Sequence, residues 1–330
     1  MRTGVVIGKF LPPHLGHLHL IREARRRCDH LTVLVCTLSR EEIPGELRFQ
    51  WMRELVPCAE VIHVTDENPQ EPHEHPDFWA IWRHTILSRC RPDVVFTSEE
   101  YGDPLAATLG AVHECIDLPR AHVPISARKI RSDPMQYWEF IPEPVRPYYV
   151  KRVVVTGPES TGKTTLAEDL AKHFQTVWVP EFARGYLDDK HARQPSDVLC
   201  EFSDLAPIAR CQVDSLETAA RAANRLVISD TDAIVTSVYA HHYFGECPKE
   251  VADLAAEQRA DLHLLLDVDV PWVEDRQRDR PHQRQEMFDL FRAALGDRRY
   301  IRIHGTWEQR FQTAVAAILS LGVPSPPPHR

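Results

Sequence analysis

Val153–Thr165 reads VVVTGPESTGKTT. Three consecutive valines mark a strand buried on both faces, and a glycine-bounded loop leads from it into a predicted helix over Thr165–His173. The loop fits GxxxxGK[ST] without a mismatch. Gly157 and Gly162 carry no Cβ, so the backbone amides of Glu159, Ser160 and Thr161 are free to wrap a β-phosphate. Lys163 is placed to neutralise the β- and γ-oxygens, and Thr164 to ligate Mg²⁺. Thr165 opens a helix whose first-turn amides face the same anion. Strand, phosphate loop and helix in this order form a unit of a parallel sheet, so the second half of the chain reads as α/β.

Downstream, apolar β-branched runs keep alternating with amphipathic stretches. Arg152–Thr156, Thr176–Pro180, Leu226–Asp230, Leu262–Asp267 and Tyr300–Ile303 are predicted strands, with helices over Phe182–Leu187, Pro195–Ala222, Ala233–Tyr243 and Trp307–Leu321. Carboxylates end two of these strands. Glu181 follows Thr176–Pro180, a strand expected beside the phosphate loop, where it could take a proton from a substrate hydroxyl. Asp230 stands where a Walker-B acid holds Mg²⁺ through water, and either it or Asp232 could instead cap the helix that follows. Which acid is the general base stays open at this level. Arg184 and Asp232 are counted with Glu181 as candidate substrate contacts. The arginine-rich Trp272–Arg284 reads as a lid placing Arg278, with Arg276 or Arg284, over the transferring phosphoryl, or else as a surface charge run.

The first half shows the same alternation, with strands at Val5–Ile7, Leu31–Cys36, Glu60–Val64, Asp93–Thr97 and Val112–Asp117 and helices at Leu18–Arg27, Gly45–Leu55, Phe78–Cys90 and Pro104–Gly110. In doubly wound sheets of this kind, ligands bind at the carboxyl ends of the strands. There the first strand runs into GKFLPPHLGH, Gly8–His17. Gly8 admits backbone amides close to a ligand, and Gly16-His17 opens a helix whose first amides lack carbonyl partners. His14 and His17 can both reach a phosphate there. The arrangement suits attack on an α-phosphorus with pyrophosphate departing, a reaction that needs positioning and charge stabilisation rather than a covalent intermediate. Lys9, Phe10 and Arg48 are weaker candidates for the same site.

The Gly8–His17 segment resembles the HxGH signature of the nucleotidyltransferase superfamily, and ISARKIR, Ile125–Arg131, resembles that family's ISxTxIR motif, which grips the triphosphate from the opposite side. Ser126 and Arg131 match. Arg128 stands where threonine is usual, and its guanidinium could replace the missing hydroxyl by pairing with phosphate.

With 330 residues, 43% of them hydrophobic and 26% charged, the chain is long enough for about two domains of ordinary size. The boundary is expected in the proline-rich Ile141–Lys151, giving domains 1–145 and 146–322 and a disordered tail 323–330. The net charge of −9 leaves neither half with a basic excess, which argues against nucleic acid as a main partner. The eight cysteines form no CxxC pair and read as reduced residues of a cytoplasmic protein. No apolar run approaches membrane-spanning length, and the first strand begins too early for a signal sequence. His73 and His75 in EPHEHP lack a third regularly spaced ligand and read as a solvated loop.

The combination and order of motifs resembles the NadR family, bifunctional nicotinamide-mononucleotide adenylyltransferases fused to ribosylnicotinamide kinases. Besides the motifs above, the resemblance rests on IPGELR (Ile43–Arg48), FTSEEYG (Phe96–Gly102), QYWEFIP (Gln136–Pro142), PEFAR (Pro180–Arg184), SDTD (Ser229–Asp232) and DVPWVED (Asp269–Asp275). It implies a Rossmann-like HxGH domain followed by a P-loop kinase domain, with ATP and Mg²⁺ used in both steps. Ribosylnicotinamide, nicotinamide mononucleotide and NAD are the implied small-molecule partners, and Trp79 or Trp82 could stack on a pyridine ring. The chain starts at the catalytic strand, so no helix-turn-helix repressor arm is expected. A phosphopantetheine adenylyltransferase joined to a dephospho-coenzyme A kinase, or a non-catalytic ATP- and NAD-sensing regulator, would also carry two such motifs.

Overall fold

The structure is a computed structural model that describes residues 1–196, 198–274 and 281–325. Two compact units divide the chain, Met1–Val145 and Arg146–Arg330.

The first unit holds strands β1 (Thr3–Gly8), β2 (His30–Cys36), β3 (Glu60–Val64), β4 (Val94–Thr97) and β5 (Val112–Cys115), all parallel, in the order β3-β2-β1-β4-β5. Each strand returns through a helical crossover, which forces the parallel pairing. Helices then cover both faces, so Val5, Val6, Val33, Leu34, Val95 and Phe96 are wholly excluded from solvent. The order reverses between β1 and β4. That crevice is where an open α/β sheet receives ligands.

The second unit repeats the logic with β6 (Lys151–Thr156), β7 (Val177–Val179), β8 (Leu226–Asp230), β9 (Leu262–Leu266) and β10 (Tyr300–Ile303), in the order β10-β9-β6-β8-β7. The valine strand β6 is central, and the reversal again falls beside it. Two helices not read from the sequence, Lys249–Glu257 and Arg284–Leu295, pack on this sheet's flank through Val251, Met287, Phe288 and Phe291.

Three expectations need correction. The strand preceding Glu181 is an edge strand separated from β6 by β8, because β8 pairs with both. The helix expected from Pro195 starts only at Leu205, since Glu201 and Asp204 cap each other's amides and set the first turn there. Val323, assigned to the disordered tail, is 5% exposed in the core of the second unit; residues 326–330 lie outside the described residues. Among the described residues no helix is long and apolar enough to cross a membrane.

Candidate active sites

At the carboxyl end of β1, His14 is the N-cap of helix Leu15–Arg25. Its Nδ1 accepts the His17 backbone N–H at 3.3 Å, and His17 Nδ1 accepts the His14 N–H at 3.3 Å. The rings stack with centroids 3.6 Å apart. Because each Nδ1 is an acceptor, each neutral ring carries its proton on Nε2. Burial, helped by the charge of Arg120, pushes His14 down to about 3. Burial and then the neighbouring His14 and Arg120 hold His17 well below its usual range. The pair therefore presents two uncharged N–H donors at neutral pH.

These donors face a cavity of about 930 Å³ that is also lined by Lys9, Trp79, Trp82, Tyr101, Arg120, Ser126, Arg128 and Arg131. The ISARKIR segment thus meets the histidine segment across one space. Arg131 Nη1 donates to the Leu11 carbonyl, which fixes the two motifs to each other. The Ser126 hydroxyl is occupied as the N-cap of the helix Ala127–Ser132. Trp82 Nε1 donates to the Pro69 carbonyl at 2.9 Å, leaving its ring and that of Trp79 as cavity wall. Arg120 and Tyr101 were not singled out from the sequence. Arg120 lies in a short irregular loop with φ 55°, where no periodicity marks it.

Of two weaker candidates for this site, Arg48 is structural instead, and Phe10 borders the cavity while also supporting a donor. Arg48 is fully buried and spends its guanidinium on the Ile43 carbonyl (3.1 Å), the Lys9 carbonyl (2.7 Å) and Glu41 (2.6 Å), so it fixes the Lys9 backbone and is closed to substrate. The Phe10 side chain is 2% exposed and meets His17 edge-on at 4.9 Å, supporting the imidazole from behind. Gly8 serves that packing: a Cβ there would sit 3.3 Å from the Phe10 ring.

In the second unit the loop after β6 takes left-handed or extended-positive φ at Gly157 (141°), Ser160 (57°) and Gly162 (86°). The φ of Gly162 favours glycine, and a Cβ there would lie 2.4 Å from the exposed Trp307 ring, which would have to move. Lys163 Nζ donates to the Pro158 carbonyl at 3.0 Å, curled over the loop it would share with a phosphate. Thr164, at the helix start with the exposed Thr165, donates its hydroxyl to Asp230 Oδ2 at 2.5 Å. Asp230 is wholly buried, and its Oδ1 has no hydrogen-bond partner among the described residues. Burial, with the charge of Glu181 adding, raises its carboxyl to about 6; Lys163, Thr164 and Arg184 oppose the rise. Glu181 and Arg184 are thereby brought into the same field as Lys163 and Asp230.

Glu181 is the N-cap of helix Phe182–Arg193 but makes no side-chain cap bond. The amide next to it, Phe182 N–H, donates instead to Gln212 Oε1 at 2.7 Å, and Gln212 Nε2 is held by Ser229 and the Asp230 carbonyl. Buried Gln212 thus satisfies the first helical amide, a role invisible in a long amphipathic helix, while the Glu181 carboxylate makes no cap bond. Arg310, also unread, is 1% exposed and ties the Thr161, Asp267 and Gly305 carbonyls together. The exposed Trp307 stacks on its guanidinium beside the loop.

One expected substrate contact fails here. Asp232 is 2% exposed, caps helix Ala233–Phe244 through Val235 N–H and meets His263 at 3.1 Å, so it is not a substrate contact. The Thr161 hydroxyl turns inward to the Pro158 carbonyl at 2.8 Å, leaving only its backbone for a phosphate. Arg276 and Arg278 lie outside the described residues. Arg284 is described, and it binds the loop itself, donating to the Ser160 carbonyl at 3.1 Å and to Val270 at 2.9 Å. Val273 N–H adds a bond to the Ser160 hydroxyl.

The cytidylyltransferase-like family model matches residues 5–111, and an AAA domain model matches residues 152–310. The trifunctional NAD biosynthesis/regulator protein NadR of Escherichia coli (strain K12) is 32% identical over 294 residues, covering 82% of this chain and 70% of that protein. Its counterpart in Salmonella typhimurium (strain LT2) is 31% identical over 293 residues with the same coverage. A crystal structure of NadR protein in complex with NAD and AMP-PNP superposes with a TM-score of 0.79 at 25% identity, covering 100% of this chain and 98% of that one. A second, in complex with NR, gives 0.80 at 24% identity with the same coverage, a likeness of fold. Similarity of this extent runs through both sheets and both loop systems, and on it the chain belongs to the NadR family.

Proposed function

We infer that the protein is a two-site NAD salvage enzyme. The second unit phosphorylates ribosylnicotinamide with ATP to nicotinamide mononucleotide, and the first adenylylates that product to NAD with release of pyrophosphate. The observation that carries this reading is the pairing, in one NadR-family chain, of a neutral two-histidine donor site with a GKT loop facing a buried aspartate. Family membership decides against the phosphopantetheine pairing.

In the first unit, a phosphate oxygen of the mononucleotide attacks the α-phosphorus of ATP, and the bond to the bridging oxygen of pyrophosphate breaks. His14 and His17 donate Nε2–H bonds to oxygens that gain charge as it does so. Neutral donors suit this role, since they need not lose a proton to reset. Arg120, Arg128 and Arg131 balance the triphosphate's charge, and Trp79 and Trp82 supply apolar wall for the pyridine ring.

In the second unit, Lys163 and the loop amides hold the β- and γ-phosphates. Glu181 is our choice of general base for the ribose 5′-hydroxyl, since its carboxylate makes no cap bond while Asp230 is committed to Thr164. Thr164 Oγ1 and the unpartnered Asp230 Oδ1 are hard oxygen donors that fit Mg²⁺, Asp230 through water. Mg²⁺ bound there supplies charge neutralisation for the transferring phosphoryl. Such binding requires the Asp230 carboxylate. As pH falls below about 6 a proton competes for it, so apparent Mg²⁺ affinity is expected to drop roughly tenfold per unit and to be flat above pH 7. Kinase rates at subsaturating Mg²⁺ across pH 5–8 check this; affinity independent of pH would count against the assignment.

Chromatography of products from ribosylnicotinamide plus ATP tests the whole reading. Mononucleotide is expected first and NAD second, with ADP and pyrophosphate. Absence of NAD when mononucleotide is supplied directly would overturn the first site, and absence of mononucleotide the second.

A further inference from the structure

Beside the histidine donors, three further side chains converge from distant parts of the chain. His19 stands two residues past His17 on the same helix; Asp117 and His122 flank the loop that carries Arg120. One donor atom from each lies within 4.8 Å of the others. The His19 and His122 rings are nearly parallel, 18° apart, with centroids 5.2 Å from each other. Asp117 Oδ1 and His122 Nδ1 are 3.4 Å apart. That is long for a hydrogen bond. It is close to the spacing of about 3.3 Å that two donors adopt on one tetrahedral ion with bonds of about 2.0 Å.

The rest of the surroundings match a metal centre. The Asp117 carboxylate is oriented by the Ala121 and His122 backbone N–H groups at 2.8 and 3.0 Å, the outer support that metal-ligating carboxylates need. The Asp117 side chain is 9% exposed and that of His122 is 73% exposed, so the site has a fixed inner ligand and an open way in. An Asp–His ion pair involves two of these residues, and His19, stacked on His122, brings a third donor atom to the same point.

We propose that His19, Asp117 and His122 bind a divalent transition ion of the Zn²⁺, Co²⁺ or Ni²⁺ class, clamping the Arg120 loop to the helix that carries His17. Two imidazoles and one carboxylate select such ions over Mg²⁺, which prefers an all-oxygen shell. The clamp has something to hold. Asp117 (φ 52°) and Arg120 (φ 55°) both take the left-handed conformation, which is uncommon for arginine and more readily adopted by aspartate. Between them the loop presents Arg120 to the cavity that His14, His17, His19 and Asp117 also line. An ion at this point would fix Arg120 against the histidine pair. Ion binding itself does not depend on the enzymatic reading; only its effect on adenylyl transfer does.

The test uses the full chain stripped with a chelator and titrated with Co²⁺ in the absence of nucleotide. Visible absorption of the bound ion and calorimetry are read together. One saturable equivalent is expected, with at least a tenfold loss of affinity in His122→Ala and in His19→Ala. Asp230→Asn and His73→Ala serve as controls and should leave that equivalent unchanged. Thermal unfolding of each ion-free variant shows that it is folded, and Co²⁺ should raise the midpoint of the wild-type chain and of both controls by more than that of either ligand variant. No saturable equivalent, or affinity within twofold of wild type in either ligand variant, would overturn the proposal. If the ion binds as expected but adenylyl transfer is unchanged, the clamp stands and its coupling to Arg120 falls.

Discussion

Lys163→Ala is expected to abolish phosphorylation of ribosylnicotinamide, by a factor of about 10³ or more in kcat, while adenylyl transfer from supplied mononucleotide continues at the wild-type rate. The loss should be that large because the ammonium acts at a loop otherwise made of backbone amides, whose geometry is already set by Gly157, Ser160 and Gly162. A charge aimed at developing negative charge in a water-poor site contributes on the order of 4 kcal/mol to the transition state, and truncation removes it without a substitute. Folding should survive. Among the described residues Nζ bonds only the Pro158 carbonyl, while Thr161 and Arg310 continue to hold the loop from the other side. The other activity is protected by architecture, since each unit has its own sheet and its own buried core. Separate assays with ribosylnicotinamide and with mononucleotide check the split. Loss of both activities in a folded variant would sink the two-site picture.

His17→Ala should do the converse, slowing adenylyl transfer by roughly 10²–10³, about 3–4 kcal/mol, and leaving the kinase intact. It removes more than one donor. Without the His17 ring, the His14 backbone N–H loses its acceptor and the His14 ring loses its stacking partner. His14→Ala should therefore cost a similar factor, and the double variant much less than the product of the two, because the residues act as one unit. The pH profile offers a second reading. With both rings far below their ordinary pKa through burial, kcat/KM for adenylyl transfer should show no histidine limb between about pH 5 and 8. The same depression has a stability consequence. Between 6.5 and about 3 the unfolded chain takes up a proton that folded His14 refuses, so stability of the first unit should fall as pH drops through that window. A rate that rises or falls with an apparent pKa near 6.5 would show that the rings titrate freely.

Much of this architecture is legible in the amino-acid order. Glu60–Val64, Gly45–Leu55, Leu226–Asp230 and Tyr300–Ile303 form the expected elements with the expected bounds. Their side-chain periodicity and flanking breakers leave one reading. The phosphate loop and the histidine segment are legible for a related reason. Each is a continuous stretch in which a strand end, glycines and a helix start do the chemical work locally. Arg120, Gln212 and Arg310 carry no such signature, because each acts on a segment far away in the chain.

Arg48 and Asp232 were misjudged for the same cause seen from the other side. A charged residue beside a motif looks identical in sequence whether it turns toward the ligand or inward to satisfy backbone groups. Local order thus determined two parallel sheets, two loops suited to triphosphate, and the residues at their tips. The third dimension decided which polar side chains face those loops and which are buried behind them. It also lowered the two histidines and raised Asp230, since burial and through-space charge depend on what the fold packs around a group.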